Sequence, residues 1–313
     1  MKKTLTAAAV AAVISPVGSL TLVEGVSADT NVSIGGYVRG GYYYLTPDEG
    51  ESTGRFEYRG RFQADMQDDN GLRATLRLQG TDGGGQTGGT GQANVIVDRA
   101  LIRFAGFRLG FSDTFETTFH GYGNFVERRD GDYGFDQGFF FDYTNSFSFF
   151  DYGIGIQDTD FEGGATNAEV DPYVGIGFNF VGVALKGTAL LDADAGESQL
   201  KFSANYSLGG LQLKAWFRDQ TGENKYSAGA TSGDADTVGI DADNASFGGS
   251  VRFQFLDQIG VGLGYSGNDL DGSDEFIISA TYDIVPGLSF RPELAFVNDF
   301  DDVDIGFRLY RTF

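Results

Sequence analysis

Charged side chains carry most of the chemistry available to this sequence. Between Phe115 and Gly138 stand five acids, Glu116, Glu127, Asp130, Asp132 and Asp136, with Arg128 and Arg129 among them. Upstream, Arg39, Arg59, Arg61, Arg73 and Arg77 fall on one parity of three alternating segments. Held across a narrow gap with low-dielectric walls, acids on one side and guanidinium groups on the other would impose a transverse field on any ion or dipole between them. Alternatively, these arginines are ordinary solvated residues paired with nearby acids. Arg128 and Arg129 suit local ion pairs that tie the acidic segment to a neighbouring surface.

Aromatic residues give the same segment an apolar content of its own: Phe115, Phe119, Tyr122, Phe125, Tyr133 and Phe135. They suit packing against an adjacent wall or, alternatively, an aromatic track for sugars. His120 is the only histidine in the chain, so no multi-histidine metal site can form. Thr117 and Thr118 beside it make no recognisable nucleophile motif, and enzymatic hydrolysis is not expected. Acids recur downstream, including Asp269, Asp271 and Asp274, and such hard oxygen ligands suit Ca2+ or Mg2+. None of these clusters follows the twelve-residue calcium loop, so solvated surface charge is the competing explanation. With 44 Asp and Glu against 22 Lys and Arg, a net charge of −22 speaks against a nucleic-acid partner.

The elements that must position these residues are strands. The chain holds 48 Gly, 29 Phe and 15 Tyr but no Cys, and its mean hydropathy is −0.18. Lys2-Lys3, an apolar stretch from Leu5 to Ile14, and a small-residue exit at Val26-Ser27-Ala28 have the order of a secretory signal over 1–28. The remainder, 29–313, is expected to form one domain beginning at Asp29. After Ala28 there is no run of ~20 apolar residues such as a spanning helix needs. Strands need only ~9–11 residues to span, with every second one facing lipid.

Alternation is clearest from Arg55 to Met66. Phe56, Tyr58, Phe62, Ala64 and Met66 interleave there with Arg55, Glu57, Arg59, Arg61, Gln63 and Asp65. Asp68-Asp69-Asn70-Gly71 makes a turn, after which Leu72, Ala74, Leu76 and Leu78 alternate with Arg73, Thr75, Arg77 and Gln79. The same pattern runs to the end of the chain and predicts about sixteen strands. One hairpin is expected to join Phe139–Asn145 to Ser148–Asp158 through Ser146–Phe147. Tight links alternate with long polar ones such as 81–94, 115–138 and 221–244, the asymmetry of a transmembrane antiparallel β-barrel of the outer membrane. The final strand carries Val303, Ile305, Phe307 and Leu309 on its apolar parity and ends at Phe313; Arg311 breaks that parity.

The opening Asn31-Val32-Ser33-Ile34-Gly35-Gly36-Tyr37-Val38-Arg39-Gly40-Gly41-Tyr42, the segment Asp98–Phe107 and the aromatic C-terminus resemble the general diffusion porins of alphaproteobacteria. That resemblance implies a homotrimer of sixteen-stranded barrels in the outer membrane, in contact with its lipid and lipopolysaccharide. It also implies a long third loop folded into the pore, for which Phe115–Gly138 has the right place and length. The acids of that segment would then face the arginines of the wall. The function implied is passive diffusion of ions and small hydrophilic solutes, with weak cation preference from the acidic excess. A substrate-selective sugar porin and a barrel serving as adhesin or envelope anchor are the alternatives.

Overall fold

A computed structural model describes residues 30–45, 53–81, 94–121, 137–158, 170–193, 196–221, 244–268, 274–297 and 302–313. The expected signal, Glu127, Asp130, Asp132, Asp136, Asp269 and Asp271 lie outside the described residues.

The strands are β1 (Asn31–Leu45), β2 (Thr53–Gln67), β3 (Arg73–Thr81), β4 (Asn94–Phe104), β5 (Phe107–Asp113), β6 (Gln137–Phe147), β7 (Phe150–Asp158) and β8 (Asp171–Phe180). They continue with β9 (Val183–Asp192), β10 (Glu197–Leu208), β11 (Leu211–Gln220), β12 (Asn244–Leu256), β13 (Ile259–Asn268), β14 (Asp274–Val285), β15 (Leu288–Val297) and β16 (Asp302–Thr312). Each pairs antiparallel with its neighbours in sequence, and β16 pairs with β1 to close the ring. The seam ends in a reciprocal pair of backbone hydrogen bonds between Gly36 and Phe313, both 3.2 Å. Closure leaves no strand edge, which hydrocarbon would penalise because water cannot satisfy its N–H and C=O groups. One short helix, α1 (Phe115–His120), follows β5.

Facing follows the two-residue period of a strand. In β8, Asp171 and Tyr173 are 0% and 3% exposed, whereas Val174 and Ile176, on the opposite parity, are 45% and 48% exposed. Small apolar residues and aromatics therefore coat the outside, and polar groups fill the inside. At one end of the barrel every connection between described strands is tight. The turn at Ala105-Gly106 has φ 50° and 91°, the left-handed pair that matches strand twist in a two-residue hairpin.

Two local departures from simple alternation matter. The hairpin expected at Ser146–Phe147 instead turns at Ser148-Phe149, with Phe147 opposite Phe150 and Ser148 at φ 56°. With Ser148 in a left-handed conformation, the first strand runs two residues further, to Phe147, and the second starts two residues later, at Phe150. Because the displacement is two residues, every side chain keeps its face. In β4 the register with β3 shifts between Arg77 and Leu78, which face Arg99 and Val97 respectively. Asp98 is the extra residue of this bulge. Strict alternation would place it with Ala100 and Ile102 towards lipid; the bulge leaves it 2% exposed among arginines.

In β16, Ile305 and Phe307 are 53% and 46% exposed on the outer face, while Arg308 is buried inside. Replacing Ile305 or Phe307 by Arg is predicted to cost ~2–4 kcal/mol near the bilayer midplane and to reduce the yield of folded barrel. Arg308→Gln and Tyr310→Gln should reduce it less. Equal yields of heat-modifiable barrel across the four variants would contradict this facing.

Candidate functional site

The lumen is the site, and α1 is its most constrained element. Phe115, 2% exposed, stacks on Tyr173 with ring centroids 4.2 Å apart. It occupies a socket made by two glycines of the wall. A Cβ on Gly153 or Gly175 would come within 2.8 Å of the Phe115 ring. Glu116 reaches the other side, 2.9 Å from Lys201 Nζ of β10 and 2.8 Å from Arg218 of β11. Burial opposes its ionisation, but Arg218 and Lys201 outweigh that cost and hold the carboxyl below the usual carboxylate range.

His120 closes the helix against β9 and β10. Its Nδ1 lies 2.7 Å from Ser203 Oγ and its Nε2 3.0 Å from Thr188 Oγ1. Burial, reinforced by Lys201, pushes the imidazole well below its ordinary value, and Lys186 and Lys214 act in the same direction against Glu116. The serine–histidine contact is sealed, with Ser203 6% and His120 3% exposed, and Thr188 occupies the place where a hydrolase would set an orienting carboxylate. Lys186 also donates to the Phe119 carbonyl. The helix is thus pinned inside the barrel by a ring stack, an ion triad and three polar contacts.

The facing wall is rich in arginine. Arg39, Arg59, Arg61, Arg73 and Arg77 all lie on the lumen parity of β1–β3, with Arg39 directly opposite Arg59. Asp98 bridges Arg61, at 3.2 Å, and Arg77. Asp113 lies 3.4 Å from Arg77 and 2.7 Å from Arg99. Arg108 grips Asp142 through two hydrogen bonds, of 2.7 and 2.5 Å, and the Tyr173 hydroxyl donates to the same carboxylate at 2.6 Å. A recess of about 680 Å³ opens on this wall, with Arg61, Arg73, Arg77, Arg99, Arg103 and Arg108 around it.

Of the acids read from the sequence, Glu116 is therefore placed against Lys201 and Arg218 rather than the arginines of β1–β3. Asp274 accepts a hydrogen bond from Tyr265 at 3.4 Å. Among the described residues, no group of three or more His, Cys, Asp or Glu side chains is arranged to hold a metal. Sequence reasoning overlooked Asp98, Asp113, Arg99, Arg103, Arg108, Lys201 and Arg218. Most stand on the polar parity of their own strands, where the alternation could have found them. Asp98 stands on the apolar parity, and only the bulge reveals it.

A closed antiparallel barrel of sixteen strands, apolar outside and charged within, is the architecture of an outer-membrane channel. The porin subfamily matches residues 28–306, and the chain belongs to that family. Solved structures agree on the fold. The outer-membrane channel DcaP of Acinetobacter baumannii aligns with a TM-score of 0.69 at 12% identity, over 92% of this chain and 99% of that one. OmpF of Salmonella typhi, solved with daunomycin, gives 0.69 at 12% identity over 91% and 98%. A mutant of Rh. blastica porin gives 0.61 at 15% identity over 90% and 100%. No curated protein matches by sequence. The protein is an integral β-barrel of the outer membrane, and its family and fold are those of channels.

Two predictions follow from the pinned helix. Gly175→Val should lower barrel stability by ~1–3 kcal/mol through overpacking, and adding Phe115→Ala should relieve it. Urea midpoints check this, and a Gly175→Val barrel as stable as the parent would contradict the socket. Because the folded-state pKa of His120 is depressed, its contribution is fully present above the unfolded value of ~6.5 and is lost as pH falls below it. Trp216, the only tryptophan, faces Ser203 across β10 and β11 and reports on the helix. The urea midpoint followed by its emission should fall from pH 7 to pH 5 by more in the parent than in His120→Gln, which can still hydrogen-bond Ser203 and Thr188. An equal fall in both would contradict the assignment.

Proposed function

We propose that the protein is a non-enzymatic diffusion channel passing ions and small hydrophilic solutes across the outer membrane, with a weak preference for cations. The observation that carries this is the lumen itself, into which charged and polar side chains such as Arg77, Asp142, Lys201, Arg218, Glu275 and Glu293 are turned behind an apolar exterior. Segment 115–138 narrows the passage in this proposal. Its first turn already lies against β8–β11, and Glu127, Asp130, Asp132 and Asp136 then face the arginines of β1–β5. Since the described wall on that side is basic, the cation preference depends on those four acids and on the overall charge of −22.

The mature chain begins at Asp29 after removal of the signal. It assembles as a homotrimer of the alphaproteobacterial type, bordered by lipid and lipopolysaccharide, needs no cofactor, and carries acids such as Asp269, Asp271 and Asp274 as solvated surface charge.

Swelling of proteoliposomes should slow smoothly with increasing sugar size and not saturate with concentration; saturation by one sugar would overturn passive diffusion. In a KCl gradient, Asp130→Asn with Asp132→Asn should move the zero-current potential towards anions more than Asp269→Asn with Asp271→Asn. Charges beyond ~10 Å of the passage are screened at 0.1 M salt. Equal shifts from both pairs would show that the constriction lies elsewhere.

A further inference from the structure

The lumen arginines are not equally satisfied. Along the tight-turn end, three strands place one arginine each in the same row: Arg73 opens β3, Arg103 faces it from β4, and Arg108 faces Arg103 from β5. Directly opposed like charges, with Cβ atoms ~4.5–5.5 Å apart, destabilise a sheet. Around Arg77 and Arg108, by contrast, acids sit among the arginines. Arg77 faces Arg99, but Asp113 contacts both and Asp98 contacts Arg77. Arg108 has Asp142.

Arg73 and Arg103 have no such partner among the described residues. Neither makes an ion pair or a side-chain hydrogen bond there, and Arg103 Nε is buried without an acceptor. Asp65 is the acid whose field reaches Arg103, but its two oxygens are already engaged, Oδ2 by Gln63 at 2.7 Å and Oδ1 by Thr75 at 2.6 Å. Both unpaired arginines border the 680 Å³ recess, which Thr117 and Thr118 of α1 and Thr144 of β6 also line. Its volume falls in the ~300–1,000 Å³ range of small-ligand sites.

We propose that Arg73 and Arg103, flanked by Arg108, form a binding site for a multivalent oxyanion of the diphosphate class at the tight-turn mouth of the lumen. Two guanidinium forks converging from adjacent strands match the paired oxygens of phosphate groups, and each fork can bind two of them. An anion with two or more charges relieves the repulsion within the row, and it supplies the acceptor that Arg103 Nε lacks. A monovalent ion such as chloride offers neither second charge nor bidentate geometry. In the channel this site gives phosphorylated solutes a resting place at the periplasmic mouth, the end at which tight turns lie in such barrels. That role rests on the diffusion-channel reading, whereas binding itself does not.

Inorganic pyrophosphate is the probe, titrated calorimetrically into the detergent-solubilised, folded protein at low ionic strength. The native chain should bind it saturably at one site. Arg73→Gln combined with Arg103→Gln should weaken binding at least tenfold, and Arg103→Lys should weaken it less. Arg252→Gln, a lumen arginine on β12, should change it less than twofold. Pyrophosphate should raise the unfolding temperature of the native barrel and not that of the double variant, which without anion should be no less stable than the native chain. Absence of saturable binding, or equal weakening by Arg252→Gln, would overturn the site. A channel that conducts normally yet fails to bind pyrophosphate would sink this proposal and leave passive diffusion standing.

Discussion

Backbone pairing without an edge is the constraint on which everything else in this molecule rests. Inside hydrocarbon no water can satisfy an N–H or C=O group, so each strand needs a partner on both sides and the last must find the first. The pairing of β16 with β1, finished by Gly36 and Phe313, meets that requirement. Once the ring is closed, the two-residue period leaves each side chain only two directions. Outward positions select Phe, Ile, Leu and Val; inward positions accept charge. The result inverts a soluble protein, because the protected interior is polar. Among the described residues only two small apolar clusters are buried, Phe115 with Tyr173 and Leu190, and Ile277 with Ala295.

The first of those clusters marks where the fold departs from a plain tube. A helix placed in a charged, watery lumen has little hydrophobic drive to stay there, and six residues are too few to be stable alone. Docking has to come from specific contacts. Gly153 and Gly175 give up their side chains to admit Phe115, while Lys201 and Arg218 converge on Glu116. Removing one member of such a buried ion triad costs far more than its net worth, because the remaining charges lose their counterion in a poorly hydrated place. Opposite the helix, Asp98 and Asp113 do for the arginines of β2–β4 what Glu116 does for the cations of β10 and β11. Two acid-bridged clusters therefore face each other across the lumen, while Arg73 and Arg103 of the tight-turn row have no acid partner among the described residues.

Much of this was legible in the residues before any coordinates. The alternation from Arg55 to Gln79 gave the first hairpin and its faces, and the same rhythm gave sixteen strands, because spanning strands are long and their two sides meet solvents of opposite polarity. The hairpin at Ser148-Phe149 was misplaced by two residues: Ser146, Phe147, Ser148 and Phe149 repeat the same polar–aromatic alternation, and only the local left-handed conformation singles out the turn. Asp98 was hidden for a different reason. A bulge adds a residue without any compositional mark, so parity counted from Ile102 assigns Asp98 to lipid. The partners of Glu116 were also illegible, since Lys201 and Arg218 lie 85 and 102 positions away in sequence and meet it only after the barrel has closed.

A cysteine-free chain allows the pinned helix in its polar lumen to be tested residue by residue. Single cysteines placed along β10 can be challenged with a membrane-impermeant thiol reagent in intact proteoliposomes. Asn205→Cys, on the lumen face and partly open, should react readily, and Phe202→Cys, on the lipid face, should not. Ser203→Cys, beneath His120, should react slowly until Glu116→Ala releases α1, after which its rate should approach that of position 205. Rapid reaction at 203 in the native background, unchanged by Glu116→Ala, would contradict a helix held against that wall.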